Sequence, residues 1–227
     1  MIDSEPIGRA RFPLMPSTRK PEFDQNPKIG ARRVVLARIF KVSLVLSLGF
    51  AASCGGSLYR VKPPTELPAM PNSAPSANVG SLTFRATPLL SDEQSQELFE
   101  SNLQVAGLLP VRVEIGHNGG EPVELKKARF HLRDASGGEW KPISLKQAIS
   151  RILKANDITA YNPNSRKAFE KEFRAYELDL KTPLTSAERK RQGFLIFLAP
   201  GKAPVASPQG LELTIDGLAQ PATLKLN

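Results

Sequence analysis

The sequence predicts a mainly β domain over residues 81–227, an antiparallel sandwich with short helical insertions. Apolar and polar residues alternate with a period of two in this region. Glycine-rich turns separate the alternating runs, and strands and helices do not succeed each other regularly. One domain of about 150 residues buries roughly 70% of the surface of its unfolded chain, so it needs no metal or disulfide for stability.

Five segments show the alternation expected of strands with one buried face. They cover residues 82–86, 111–115, 128–132, 211–215 and 222–226. A sixth segment, 194–198, is apolar throughout, which predicts a strand covered on both faces. Turns are predicted at 118–120, 136–138 and 216–217, where glycine tolerates positive φ.

Two helix starts are predicted by capping-box spacing, one at Ser91 with Gln94 and one at Ser144 with Gln147. The second opens a helical insertion over about residues 144–178. Its apolar residues recur at helical spacing, which indicates an amphipathic helix with one face in the core.

Later in the same insertion, Phe169, Phe173 and Tyr176 follow at i, i+4 and i+7, which predicts an aromatic stripe facing the core. On the same helix, Glu170 is spaced to pair with Arg174. We expect this stripe to be structural and not part of a cofactor site.

The net charge of +9 is unevenly divided along the chain. Residues 1–53 contain nine basic and four acidic residues, and residues 54–227 contain 22 and 18. The larger part is therefore only mildly basic, which weakens the case for a nucleic-acid binder. A single cysteine excludes an internal disulfide framework and every multi-cysteine metal motif.

Residues 32–53 have the three-part pattern of a secretory signal peptide. Four basic residues precede an uncharged apolar stretch at 42–53, and small residues close it. The apolar stretch is shorter than the roughly 20 residues that span a bilayer. The alternative is an uncleaved membrane helix from Val34, which would have to include Arg38 and Lys41 at about 3 kcal/mol for each charge near its centre.

The residues Ala51, Ala52, Ser53 and Cys54 resemble the lipobox of bacterial lipoproteins, in which small residues precede a lipid-modified cysteine. The resemblance implies cleavage before Cys54, a diacylglyceryl group on its thiol and acylation of the new amino terminus. Several acyl chains such as palmitate anchor a protein stably, whereas one chain does not. This sequence departs from the family at Ala51, where leucine is most common. The alternative is that Cys54 is an ordinary small residue.

The segments on either side of the signal are predicted to lack a fold of their own. Residues 1–31 suit an over-extended or disordered N-terminus, with the true start at Met15 or at a later non-Met codon. Residues 54–80 suit a proline-rich tether that reaches at most roughly 80 Å in polyproline II form. By resemblance to Gram-negative lipoproteins, Gly55 after the cysteine favours the outer membrane.

The stretch LLPVRVEIGHNGGEPVEL at 108–125, followed by ARFHLRDASGGEW, resembles the paired strands of immunoglobulin-like domains in uncharacterised bacterial lipoproteins. The resemblance covers about 120 residues and contains no catalytic motif. It implies an immunoglobulin-like sandwich in an extracytoplasmic compartment.

Catalytic and metal-binding patterns are absent from the sequence, so we expect a non-enzymatic protein without cofactor or metal. His117 lies at the end of a buried face, where we expect its ring to bond nearby backbone. The alternative role is a catalytic base or metal ligand, which requires a pocket that brings carboxylates to His117.

One basic constellation stands out as a candidate anion site. On a strand, four residues of the same parity would form a row able to hold phosphate groups of lipid, lipopolysaccharide or a wall polymer. These are Lys127, Arg129, His131 and Arg133. The alternative is a solvated outer face partnered by glutamates across the strand. The run 189–191 has the same two interpretations, with an exposed loop favoured. Export and the lack of interleaved aromatics argue against nucleic acid.

The sequence therefore predicts a lipid-anchored, extracytoplasmic protein that acts through contacts with a membrane and an envelope protein. An anionic-ligand module using the basic row is the first alternative, and a hydrolase is the second.

Overall fold

The structure is a computed structural model that describes residues 58–159, 161–204 and 207–227, all within the compact unit Ala52–Asn227. The described strands are β1 (Ser76–Val79), β2 (Leu82–Pro88), β3 (Leu108–His117), β4 (Arg129–Arg133), β5 (Glu139–Ile143), β6 (Lys190–Leu198), β7 (Glu212–Asp216) and β8 (Ala222–Lys225). The described helices are α1 (Asp92–Phe99), α2 (Leu145–Ala155) and α3 (Pro163–Arg174), with short 3-10 turns at Pro64–Glu66 and Pro200–Lys202.

The eight strands form one antiparallel sheet in the order β1-β2-β3-β6-β5-β4-β7-β8. Strand β5 connects the two halves, because Trp140 pairs with Leu132 of β4 while Ile143 pairs with Ile196 of β6. The end strands β1 and β8 lie beside each other, so the sheet is nearly closed and barrel-like. The predicted antiparallel β class is confirmed, but the predicted two-sheet immunoglobulin-like sandwich is not.

The interior of the barrel is the first of two apolar cores. It is filled by the alternating inward side chains of β2, β3, β4, β7 and β8. Phe84 of β2 and Phe130 of β4 meet edge to face with ring centroids 6.4 Å apart, although their strands are not neighbours in the sheet. The period of two in the sequence thus corresponds to side chains pointing into or out of the barrel.

The second core lies on the outer face of β3 and β6, under the three helices. Its centre is an aromatic cluster in which Phe99 contacts Phe173, Tyr176 and Phe194 at centroid distances of 4.9, 5.3 and 5.7 Å. A fully buried Phe contributes about 1.5–3 kcal/mol. This confirms that the stripe Phe169, Phe173 and Tyr176 faces the core.

Strand β3 and residues 193–198 of β6 are consequently covered on both faces, whereas Lys190 and Gln192 near the start of β6 are exposed. The apolar strand at 194–198 was predicted to be so, and this is confirmed. The segment 111–115 was predicted to have one exposed face, and this is wrong because Arg112 and Glu114 are only 5% and 6% exposed. Their polar character suggested solvent, but neighbouring elements cover them.

Both predicted capping boxes are present. The Ser91 hydroxyl accepts from the Gln94 amide at 3.3 Å, and the Ser144 hydroxyl accepts from the Gln147 amide at 3.4 Å. Helices α1 and α2 begin directly after these serines. In α3, Glu170 pairs with Arg166 at 2.8 Å and not with Arg174 as predicted.

The segment that leaves α3 passes so close to β6 that one position there tolerates only glycine. A Cβ at Gly193 would lie 2.5 Å from the Cα and 2.6 Å from the N of Leu178. The backbones are bonded at this point, since the Phe194 amide donates to the Tyr176 carbonyl at 2.6 Å. Gly116 of β3 is different, because its Cβ would find its nearest neighbour at 3.8 Å.

We expect Gly193→Ala to lower the free energy of unfolding by about 2–3 kcal/mol, since the methyl group has to push two backbones apart. Gly116→Ala is the matched control on the partner strand, and its effect should stay within about 0.5 kcal/mol. Urea denaturation of both variants measures the difference. Equal stability of the two variants would contradict the close approach of residue 178 to β6.

Candidate functional site

The predicted lipidation site lies outside the described residues. Cys54, the cleavage residues Ala51, Ala52 and Ser53, the signal at 32–53 and the N-terminus 1–31 are therefore not located by the structure. Of the helices that the structure does describe, none has the length and apolarity needed to cross a membrane.

The described part of the predicted tether is bound to the domain. Residues 58–75, which we call the strap, cross the outer face of the sheet before β1 begins at Ser76. Val61 and Met70 are buried, and the Tyr59 ring packs on Phe169 with centroids 5.1 Å apart. The prediction of a free linker over 54–80 is wrong for these residues. Its prolines disfavour α-helix and central strand, but isolated apolar side chains still pack against the domain.

Two arginines hold the strap on the sheet through its backbone carbonyls. Arg112 of β3 donates from Nη1 to the Pro68 carbonyl and from Nη2 to Oε1 of Gln192, both at 2.7 Å. Arg85 of β2 donates from Nη2 to the Pro71 carbonyl and from Nη1 to Oε1 of Glu114 at 3.2 Å. A proline-rich segment has carbonyls without ladder partners, so it offers such donors free acceptors.

Near its start the strap is held by a buried phenol. The Tyr176 hydroxyl donates to the Lys62 carbonyl, and the Lys62 amide donates to the Leu98 carbonyl at 2.9 Å. Burial raises the pKa of Tyr176 to about 12, the nearby Glu66 carboxylate adds to this rise, and Arg112 opposes it. The phenol therefore stays a hydrogen-bond donor throughout the neutral and mildly alkaline range.

The predicted basic row is exposed, as its parity indicates. Arg129, His131 and Arg133 alternate with buried residues along β4, while Lys127 lies just before the strand. The Arg129 guanidinium folds back, with Nη1 donating to the Lys126 and Ala128 carbonyls at 3.1 Å. Only part of the row therefore projects freely into solvent.

Carboxylates from the neighbouring strands interleave with this row. Asp216 pairs in register with Arg129, and Glu212 and Glu139 both pair with Arg133. His131 lies between two of them, with Nδ1 4.0 Å from Glu139 and Nε2 3.8 Å from Asp216. The three carboxylates offset the formal positive charges of Lys127, Arg129 and Arg133 on this face. This arrangement favours the solvated-face interpretation.

The second basic run is an exposed loop only in part, because Arg189 is exposed ahead of the strand but the next two residues belong to β6. Strand β6 begins at Lys190, which pairs with Glu114 at 3.2 Å. Arg191 is buried and donates to Glu188 and to the carbonyls of Asp179, Thr182 and Pro183. It closes the loop before β6, and its role is structural.

His117 is bound to backbone at the end of β3, as expected. Its Nδ1 accepts from the Gly119 amide at 3.1 Å, which makes Nε2 the protonated nitrogen that donates to the Glu121 carbonyl at 3.1 Å. The side chain is buried. Both nitrogens are therefore engaged in fixing the turn at 118–121.

A different basic constellation appears where α2, β5 and the turn after β6 meet. Four cations line one groove of about 440 Å³, and its lining contains no acidic residue. These residues, which we call the basic groove, are Lys141, Lys146, Arg151 and Lys202. These residues are up to 61 positions apart in the sequence, so no local sequence motif could predict that they form one site.

In the part of the chain that the structure describes, no three His, Cys, Asp or Glu side chains come together in a group able to hold a metal ion. No protein-family model, no curated protein and no solved structure matches the chain. The proposals below therefore rest on the residues of this chain.

We expect Tyr176→Phe to lower the free energy of unfolding by about 1 kcal/mol, because it removes the donor to the Lys62 carbonyl. Amide exchange at Lys62 should accelerate, since the same residue is tied to Leu98. Tyr161→Phe is the control, because that hydroxyl bonds Arg166 and not the strap. Hydrogen exchange measured by NMR gives the answer. Unchanged exchange at Lys62 in the first variant would refute this role of the phenol.

The same phenol predicts a pH dependence. A folded-state pKa of about 12, above the unfolded value of about 10, gives stability that is intact below pH 10 and is lost as the pH rises towards 12. Urea denaturation from pH 9 to 12 should therefore show a steeper fall for the wild type than for Tyr176→Phe. Parallel curves would mean that the phenol is not buried as described.

Proposed function

We propose that this chain is a non-enzymatic lipoprotein of the bacterial cell envelope that acts through contacts with other envelope components. The observation that carries the proposal is the lone cysteine, Cys54. It follows four basic residues and an uncharged stretch of 12 residues that ends in three small residues. Charge, length, small residues and cysteine have one common explanation, which is export followed by acylation of the thiol.

The bound strap gives the proposed anchor a geometric consequence. Leu58 already belongs to the described fold, so four residue steps separate it from Cys54. Fully extended, they span at most about 14 Å. An acylated Cys54 would hold the domain at the lipid surface and not on a leash of roughly 80 Å. Contacts within a short distance of the membrane are then the ones open to the protein. Gly55 favours the outer membrane for this location.

Action by contact is supported by the roles of the reactive side chains. Both ring nitrogens of His117 form hydrogen bonds with the backbone, and the Arg191 guanidinium donates to loop carbonyls and to Glu188. The charged groups of the β4 face are interleaved with carboxylates. We propose that the partners are an envelope protein and the membrane itself, and not nucleic acid.

An immunoglobulin-like relationship belongs to the proposal as well. It is supported by the way β5 changes partners from β4 to β6. The change divides the strands into two groups that share one core, across which Phe84 meets Phe130. Two antiparallel groups around one core are the basis of a sandwich.

The anchor is tested with Cys54→Ser in a bacterial host that processes lipoproteins. We expect the wild type in the membrane fraction as a shortened polypeptide with added acyl mass, because only the cysteine thiol accepts the diacylglyceryl group. The variant should keep its full length and gain no acyl mass. Cell fractionation with mass spectrometry of the intact protein measures length and modification together.

Ser53→Ala serves as the matched control, since a small residue before the cysteine is retained. It should be processed and acylated like the wild type. Membrane association without shortening or acyl mass in the wild type would instead support an uncleaved helix and would overturn the proposal.

A further inference from the structure

The basic groove is built from three separate parts of the fold. Lys141 lies on β5, Lys146 and Arg151 lie on α2, and Lys202 follows β6. The three lysines are exposed at the surface. Ile143 and Leu198 provide an apolar floor between them.

One of the four cations is fixed in place. Arg151 donates from Nε to the Ala106 carbonyl and from Nη2 to the Lys202 carbonyl, both at 3.0 Å. The two bonds orient the guanidinium and join α2 to the turn after β6. An oriented guanidinium presents a planar set of donors to an oxyanion at little further cost in entropy.

The positive charge of this groove is not compensated from within. Among the residues that the structure describes, the ammonium groups of Lys141, Lys146 and Lys202 have no ion-pair partner. The contrast with the β4 face is direct, because Glu139, Glu212 and Asp216 lie among its basic residues. Of the two basic surfaces, only the groove has lining residues whose formal charges sum to a positive value.

The start of α2 adds to this potential. Lys146 lies in the first turn of the helix, and no acidic residue is present there. The N-terminal end of a helix carries a partial positive charge, so a lysine at this position opposes the helix dipole. An anion bound in the groove would relieve the repulsion among the four cations and the helix end.

We propose that the basic groove binds phosphate groups. A phosphate has several oxygens, which suits one oriented guanidinium together with mobile ammonium groups. The apolar floor leaves room for a nonpolar part of the same ligand beside the charge. A lipid headgroup and a soluble phosphate compound share this chemistry. The site consists of described residues and does not depend on the anchoring of Cys54.

The test uses the full chain in nonionic detergent and three probes. These are inorganic phosphate, glycerol 3-phosphate and dihexanoyl phosphatidylglycerol, each followed through the NMR shifts of the amides of residues 146, 147 and 151. We expect saturable shifts at these amides. Tighter binding of the short lipid than of glycerol 3-phosphate, by about tenfold, would identify a lipid headgroup as the source. Equal affinities would identify a soluble phosphate compound.

Two charge-matched variants separate a site from general attraction. The triple variant Lys141→Gln, Lys146→Gln and Lys202→Gln removes three charges from the groove but leaves Arg151 and its two carbonyl bonds. The control, Lys126→Gln, Lys127→Gln and Lys225→Gln, removes three exposed charges elsewhere. We expect the groove variant to bind the probes about tenfold more weakly and the control to stay within about twofold of the wild type.

The proposal fails if none of the three probes shifts the groove amides of the wild type. It fails equally if both triple variants lose the same affinity, because that would mean general charge attraction. A groove variant with unchanged affinity would also overturn it. Because the readout is binding at identified amides, the result is independent of whether Cys54 is acylated.

Discussion

The pairing of β3 with β6 is the interaction on which the rest of the structure depends. The two strands are in register from Leu108 opposite Leu198 to Gly116 opposite Lys190, and β3 and residues 193–198 of β6 are covered on both faces. One face closes the barrel interior and the other supports the helices. Because the two apolar cores share this pair of strands, they are stabilised together. A change in the spacing of β3 and β6 affects both cores at once.

Double coverage creates a problem that the strap solves. Strand β3 carries Arg112 and Glu114 on the face that the helices and strap cover, and an unpaired buried charge is strongly destabilising. Glu114 is paired with Arg85 and Lys190, and Arg112 finds the Pro68 carbonyl and Gln192. The strap is thus part of the folded domain, because it supplies an acceptor that the sheet lacks.

Local patterns made much of this fold predictable from the sequence. The period of two located five strands, an apolar run located β6, and the serine and glutamine pairs located the starts of α1 and α2. Strands β1 and β5 were missed because each is short and polar, and β5 contains Pro142. The near closure of the sheet depends on β5 changing partners, which is a non-local event without a sequence signal. The wrong assignment of the strap arose in the same way, since proline content predicts the lack of a ladder but not the lack of contacts.

The candidate sites also differ in whether local sequence patterns or non-local contacts define them. A strand places alternate residues on one face, so the exposure of Arg129, His131 and Arg133 followed from their spacing. The carboxylates that offset the charge of this face come from β5 and β7, and the register of these strands with β4 could not be predicted from the sequence. The basic groove combines residues from three elements, so its charge is a property of the tertiary structure alone. The predicted lipidation of Cys54 is the opposite case, because it rests on a continuous segment of the sequence, residues 32–54.

The docking of the strap also has a mechanical consequence. A load applied to the chain ahead of Leu58 would reach the contacts of the strap before the ladder between β1 and β2. These contacts begin with the Tyr59 ring on Phe169 and continue with the bonds of Tyr176 and Arg112 to the Lys62 and Pro68 carbonyls. These early contacts involve few hydrogen bonds, so they yield one by one and lengthen the chain before the sheet is strained. With the attachment proposed at Cys54, the strap would extend before the load reached the two cores.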